Sequence, residues 1–169
     1  IAQVIEQAGG MAILTSENCQ NGTQRVTEAL HILAEQGQNL PGIVLNIQGD
    51  EPLVSPHDIV SLLNLMLREE VQIGTLVTSA KPGDAESGTN AFADKTPDGR
   101  CHSFSRNPAC CAIQAWRHVG MYGFKTHLLP ELVALPSTEN EIRERLEQVR
   151  RSEEHTSELQ SQFRISYAV

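Results

Sequence analysis

The chain has 169 residues, 40% hydrophobic and 20% charged, which suits one globular domain with a core of its own. Its formal net charge of -8 argues against broad binding to nucleic acid or to an anionic membrane, although a local basic pocket could hold a phosphate. No apolar run approaches the roughly 18 residues that cross a bilayer.

Ile1, Val4, Ile5 and Ala8 recur at helical spacing, and Gly9-Gly10 stops them. MAILT, 11 to 15, reads as a short buried strand, and SENCQNG after it as a loop. From Thr23 a helix is expected, with Val26, Ala29, Leu30 and Leu33 on one face. GIVLNI, 42 to 47, is the second expected strand. SPHDIV opens a third helix: Ser55 can cap it, Pro56 suits its first position, and Asp58 sits three after the cap. Leu62, Leu63, Met66 and Leu67 form that helix's apolar face.

IGTLVTS, 73 to 79, is a third strand, and residues 81 to 100 read mostly as loop. Two strands follow, near 101 to 105 and 117 to 124. Thr138 and Glu141 make a capping box for a last helix through Ile142, Leu146 and Val149. Helices alternating with short apolar strands predict an α/β fold with a mainly parallel, Rossmann-like sheet covered by helices on both faces. Cys19, Cys101, Cys110 and Cys111 show neither zinc spacing nor a CxxC pair, so they read as free thiols of a reducing, cytoplasmic compartment.

VLNIQGDEPLV, 44 to 54, places polar groups where a core strand stops. In parallel α/β sheets ligands bind at the carboxyl ends of strands. Asp50 there is a natural partner for Mg²⁺, a hard cation that arrives with phosphates. Gly49 lets the backbone approach a ligand, and the Gln48 amide can both donate and accept. The alternative is a solvated acidic turn leading to a helix.

NIQGDEPLV resembles the central motif of the 3-deoxy-manno-octulosonate (KDO) cytidylyltransferases. TSENCQNGTQR (15 to 25) resembles that family's T-x(n)-SGT-[DE]-R segment, with Gln24 where an acid is usual. FSR (104 to 106), RHVGMYGF (117 to 124) and LEQVR (146 to 150) are similar to its remaining motifs, in the family's order. The V-K-V-V strand before FSR and the I-P-[YWF] after it are missing.

The resemblance implies that the anomeric hydroxyl of the sugar acid attacks the α-phosphate of CTP, giving CMP-KDO and pyrophosphate. It implies Asp50 as catalytic ligand of Mg²⁺, and Gly22, Thr23 and Arg25 beside the nucleotide. Gln48, Arg106, His118, Tyr122, Glu147 and Gln148 would grip the sugar acid. It also implies a homodimer at full length.

Duller readings stand beside these. Arg25, Glu147 and Gln148 could be solvated helix residues, and His118 and Tyr122 could be core residues on one strand face. The alternatives for the whole are another sugar-acid cytidylyltransferase, such as the sialic acid type, or a non-catalytic α/β binding module. The family's phosphate loop would lie ahead of Ile1 and its second metal aspartate beyond Arg150. The expectation is therefore a partial cytidylyltransferase domain over 1 to 150, inactive alone. RSEEHTSELQS resembles translated sequencing adapter, so residues 151 to 169 are expected to be foreign to the native protein.

Overall fold

The computed structural model describes residues 1–49, 53–111, 115–153 and 165–168. Ile1–Pro41 and Gly42–Val169 are separate compact units, and each is taken by itself.

In the first unit, α1 (Ala2–Gln7) ends at Gly9, whose φ of 81° is a left-handed turn that glycine adopts without strain. Residues 11–15 do not form the expected strand. An apolar run becomes a strand only when a neighbour completes its hydrogen-bond ladder. This unit has no strand to offer among the described residues, and Met11 and Leu14 are exposed. α2 (Gly22–Glu35) starts where turn chemistry says it should, with the Asn21 side chain accepting from the Gln24 amide at 2.9 Å.

In the second unit, β1 (Ile43–Ile47) leads to α3 (Pro56–Met66), capped by Ser55 and opened by Pro56. The buried face of α3 is Leu62, Leu65 and Met66, whereas Leu63 and Leu67 are exposed. β2 (Ile73–Ser79) follows, then β3 (Phe92–Lys95), β4 (Cys101–Ser105) and β5 (Ala115–Lys125). β3 lies inside the stretch expected to be loop. Only Ala91, Phe92 and Ala93 are apolar and buried there, too short a run to stand out by period.

Helices α4 (Leu129–Ala134), α5 (Glu139–Glu144) and α6 (Glu147–Glu153) come next, and β6 (Ile165–Ala168) lies beside β2. The single helix expected from Thr138 is two. Its capping box is present, but Arg145 turns left-handed at φ 53°, ψ 45° and separates α5 from α6.

The sheet order is β4-β3-β5-β2-β6, with β1 also on β5. This corrects the expectation of a mainly parallel, Rossmann-like sheet with helices on both faces. β1, β2 and β3 all pair antiparallel with β5, and β3 with β4. β2–β6 is the one parallel pair among the described strands. The expectation failed for a topological reason. β1, α3 and β2 do make a strand-helix-strand crossover between strands of like direction. The two strands are not neighbours, because β5 enters between them running the other way.

Gly74 and Gly123 face each other across β2 and β5, and the Met66 side chain of α3 lies in the space they leave. A Cβ at Gly74 would stand 2.7 Å from Met66 Sδ, and one at Gly123 would overlap Met66 Cγ. Met66 is fully buried, so it has little room to yield. Gly123→Ala is therefore expected to lower unfolding stability by about 1–3 kcal/mol through overpacking, read as a lower urea midpoint at unchanged slope.

Candidate active site

β5 carries an irregularity at its centre. Thr75 pairs with Tyr122 and Leu76 with Val119, so one step along β2 spans three along β5. The extra residues, Gly120 and Met121, leave ladder groups in need of other partners. Thr75 is the side chain that meets this need. Its hydroxyl donates to the Met121 carbonyl at 2.7 Å and lies 2.7 Å from His118 Nε2.

Thr75 is wholly buried and His118 nearly so. The His118 ring meets Phe104 edge-on at 5.5 Å between centroids and Tyr122 at 5.1 Å, and Tyr122 stacks on Phe124 at 6.1 Å. His118 and Tyr122 are thus brought together, as the sequence led one to expect.

The chain leaves β1 beside this irregularity. Ile47 pairs with Met121, so the next residue, Gln48, exits the sheet level with Gly120. Gln48 and Gly49 are exposed there. On the same edge of β5 the His118 amide donates to Ala91 O at 2.8 Å, just before β3 begins. Asp50, expected as metal ligand, lies outside the described residues.

The chain is described again from Leu53, which with Val54, His57, Leu76, Arg117 and Val119 is among the residues lining a pocket of about 350 Å³. Side chains alternate across a sheet. Leu76, Arg117 and Val119 therefore look away from Thr75 and His118, so pocket and aromatic cluster occupy opposite faces.

Arg106, just past β4, is bound into the α5–α6 joint. Its Nε donates to Glu144 O at 2.8 Å, its Nη1 to Thr89 O at 2.6 Å and its Nη2 to Arg145 O at 3.4 Å. Glu144 Oε2 in turn accepts from the Arg106 amide at 3.0 Å.

α6 begins two residues later with half-buried Glu147 and buried Gln148. It is held by Arg150, to which the sequence reading gave no role although it ends the LEQVR motif. Arg150 makes a two-pronged pair with Glu141, Nε–Oε2 2.7 Å and Nη2–Oε1 2.6 Å, and donates to Leu135 O at 2.7 Å and Ser137 Oγ at 3.1 Å. Glu141 is also the capping-box acid of α5. Glu144 and Thr75 were also unforeseen. The signal for Thr75 was a hydroxyl between Ile73 and Val77 on one strand face.

In the first unit, Gly22 opens α2, Thr23 is buried, and Arg25 is exposed. Arg25 braces the preceding loop, donating to Thr15 Oγ1 at 3.0 Å, Ser16 O at 3.2 Å and Cys19 O at 3.3 Å. Glu28 closes the same loop, accepting from the Ser16 amide at 2.9 Å and the Cys19 thiol at 2.8 Å. The thiol hydrogen bond, then that of Ser16, holds the Glu28 carboxyl below its ordinary range. The Glu28 hydrogen bond, then burial, pushes the Cys19 thiol up. Burial pushes Cys101 well up too.

Residues 1–161 match the family model described as cytidylyltransferase. The chain belongs to the cytidylyltransferase family. It is 35% identical over 166 residues to the 3-deoxy-manno-octulosonate cytidylyltransferase of Thermodesulfovibrio yellowstonii, covering 89% of this chain and 64% of that protein. It is 35% identical over 156 residues to the enzyme of that name from Myxococcus xanthus, covering 89% and 61%. The chain thus spans about three-fifths of the length of these relatives.

Among solved structures, a CMP:2-keto-3-deoxy-manno-octonic acid synthetase complexed with CTP superposes with a TM-score of 0.80 at 25% identity. That match covers 98% of this chain and 66% of the other. A glucose-1-phosphate thymidylyltransferase-like protein from Bacillus anthracis shares the fold, with a TM-score of 0.54 at 14% identity over 99% and 63%.

Arg150 and Cys19 of this cytidylyltransferase chain each give outcomes that can be tested. Arg150→Met alone leaves the Glu141 carboxylate without its partner and is expected to cost about 3–5 kcal/mol. The double change with Glu141→Leu is expected to cost less than the single one in the same chemical denaturation. Cys19 is expected to react with iodoacetamide more slowly at mildly alkaline pH than an ordinary thiol, since less of it is thiolate. Glu28→Gln, which removes the neighbouring charge, is expected to shift the pH-rate curve of Cys19 downward, read by mass spectrometry of the labelled peptide.

Proposed function

We propose that the protein carrying this chain activates 3-deoxy-manno-octulosonate with CTP, forming CMP-KDO and releasing pyrophosphate. The observation that carries the reading is convergence. Gln48 leaves β1 level with Gly120 of the β5 irregularity, which His118 and Tyr122 flank, so two motifs far apart in sequence lie side by side in the sheet. The names of the relatives, and the CTP bound in the matched synthetase, support the choice of substrates.

In this reading the oxygen of the anomeric hydroxyl bonds to the α-phosphorus as its bond to the β-phosphate oxygen breaks. Gly22, Thr23 and Arg25 serve the nucleotide. Gln48, His118, Tyr122, Glu147 and Gln148 grip the sugar acid. Arg106 has three of its N–H groups on carbonyls, leaving two of its five for a substrate carboxylate.

Mg²⁺ is the proposed cofactor. Among the described residues no group of three or more His, Cys, Asp or Glu could hold a metal. Mg²⁺ carried by phosphates needs only one or two protein carboxylates, so a single Asp50 following Gly49 fits that chemistry. When bound, the ion neutralises charge on the triphosphate. No helix of the described residues is long and apolar enough to cross a membrane. The same proposal makes the full-length protein a cytoplasmic homodimer in lipopolysaccharide biosynthesis, without a nucleic-acid partner.

The test uses a chain completed to the relatives' length. Pyrophosphate release is expected to require both CTP and the sugar acid, and release indifferent to the sugar acid would overturn the reading. Asp50→Asn is expected to lower turnover at limiting Mg²⁺ on the order of 10²–10³-fold. Near-normal turnover would remove Asp50 from the metal site.

A further inference from the structure

We propose that Thr75 is a positioning residue that commits the Nε2 proton of His118. The argument is one of hydrogen-bond direction. A backbone carbonyl can only accept, so the 2.7 Å contact between Thr75 Oγ1 and Met121 O uses the single proton of the hydroxyl. The same oxygen is 2.7 Å from His118 Nε2 and has only lone pairs left to offer. His118 must therefore donate from Nε2.

Two consequences follow for the ring. In its neutral form His118 is the Nε2–H tautomer, and Nδ1 is an acceptor. Nε2 then has no proton left to give to a ligand.

The orientation is fixed as well as the proton. Thr75 is wholly buried and lies opposite Tyr122 in the register, and the His118 ring is flanked by Phe104 and Tyr122. The Met121 carbonyl that sets the hydroxyl's direction belongs to the extra residues of β5. The irregularity in the strand thereby determines the tautomer of a residue three positions away. That His118 serves the sugar acid rests on the function proposed above. The direction of the hydrogen bonds does not.

The experiment therefore has two arms. In the 169-residue chain labelled with ¹⁵N-histidine, the His118 ring is expected to show a proton on Nε2, protected from solvent exchange, in the unaltered chain and in Thr75→Ser. In Thr75→Val that proton is expected to exchange at least roughly fivefold faster, the equivalent of one lost hydrogen bond. A neutral Nδ1–H ring in the unaltered chain would overturn the proposal. So would loss of the protected proton in a folded Thr75→Ser, or its retention unchanged in a folded Thr75→Val.

The second arm uses the chain completed to the relatives' length. There Thr75→Val is expected to raise KM for the sugar acid roughly fivefold or more, leaving KM for CTP unchanged, with Thr75→Ser restoring the original value. An unchanged KM for the sugar acid despite a lost ring proton would overturn the positioning role alone. Absence of activity in the unaltered full-length chain would overturn the proposed function and leave the ring assignment to the first arm.

Discussion

β5 is the constraint on which the second unit is built. Its eleven residues pair with β2 along one edge and with β1 and then β3 along the other. A strand used on both edges cannot slip in register without breaking two ladders together, and a slip of one residue would exchange its faces. Gly123 must meet Gly74 beneath Met66, and Phe124, Tyr122 and His118 must line the other face. The two extra residues at Gly120–Met121 let both requirements hold. They shift the register of the N-terminal half of β5 by an even number, which keeps the facing of side chains intact across the break. Such a break would leave buried backbone groups costly if nothing met them, and the Thr75 hydroxyl answers the Met121 carbonyl.

A second fixed point is the joint between α5 and α6. Two short helices of six and seven residues have little stability of their own, so their placement is tertiary. Arg150 and Glu141 are each about nine-tenths buried, at 8% and 12% side-chain exposure. A pair so buried gains little over an apolar pair, but its geometry is narrow, and a planar guanidinium accepts one arrangement of a carboxylate. Glu141 spends its other capacity on the cap of α5, so cap, turn and α6 are set together. From the far side Arg106 fastens the end of β4 to the carbonyls of Glu144 and Arg145. Glu147 and Gln148 therefore start α6 from a joint gripped at both ends.

Local chemistry was legible in the sequence. The caps at Ser55 and Thr138 and the strands at 43–47, 73–79 and 101–105 stand where composition and spacing put them. Pairing was not legible. An apolar strand run does not say which neighbour it takes, and β5, which begins only at Ala115, inserts between β1 and β2. The same blindness made a strand of MAILT, which has the composition but no ladder, and a loop of 92–95, which has the ladder but little composition. Among candidate site residues, motif order put His118 and Tyr122 together, and their rings do touch. It could not find Thr75, because a hydroxyl in an apolar strand shows its use only when the carbonyl it serves is known.

HVGMYGF therefore carries two kinds of information in one string. Read as a site, it is His118 and Tyr122, on the face that meets Phe104. Read as packing, it is Gly123, on the face that meets α3, with Gly120 and Met121 as the break between the halves. The two readings do not compete. A buried histidine bonded to a buried threonine is what a core residue looks like, and it is also what a ligand residue with a committed proton looks like. The two are separated by what the ring's other nitrogen does. That makes the direction of the Thr75 hydrogen bonds the most informative fact about His118, because it states which chemistry the residue can offer before any ligand is considered.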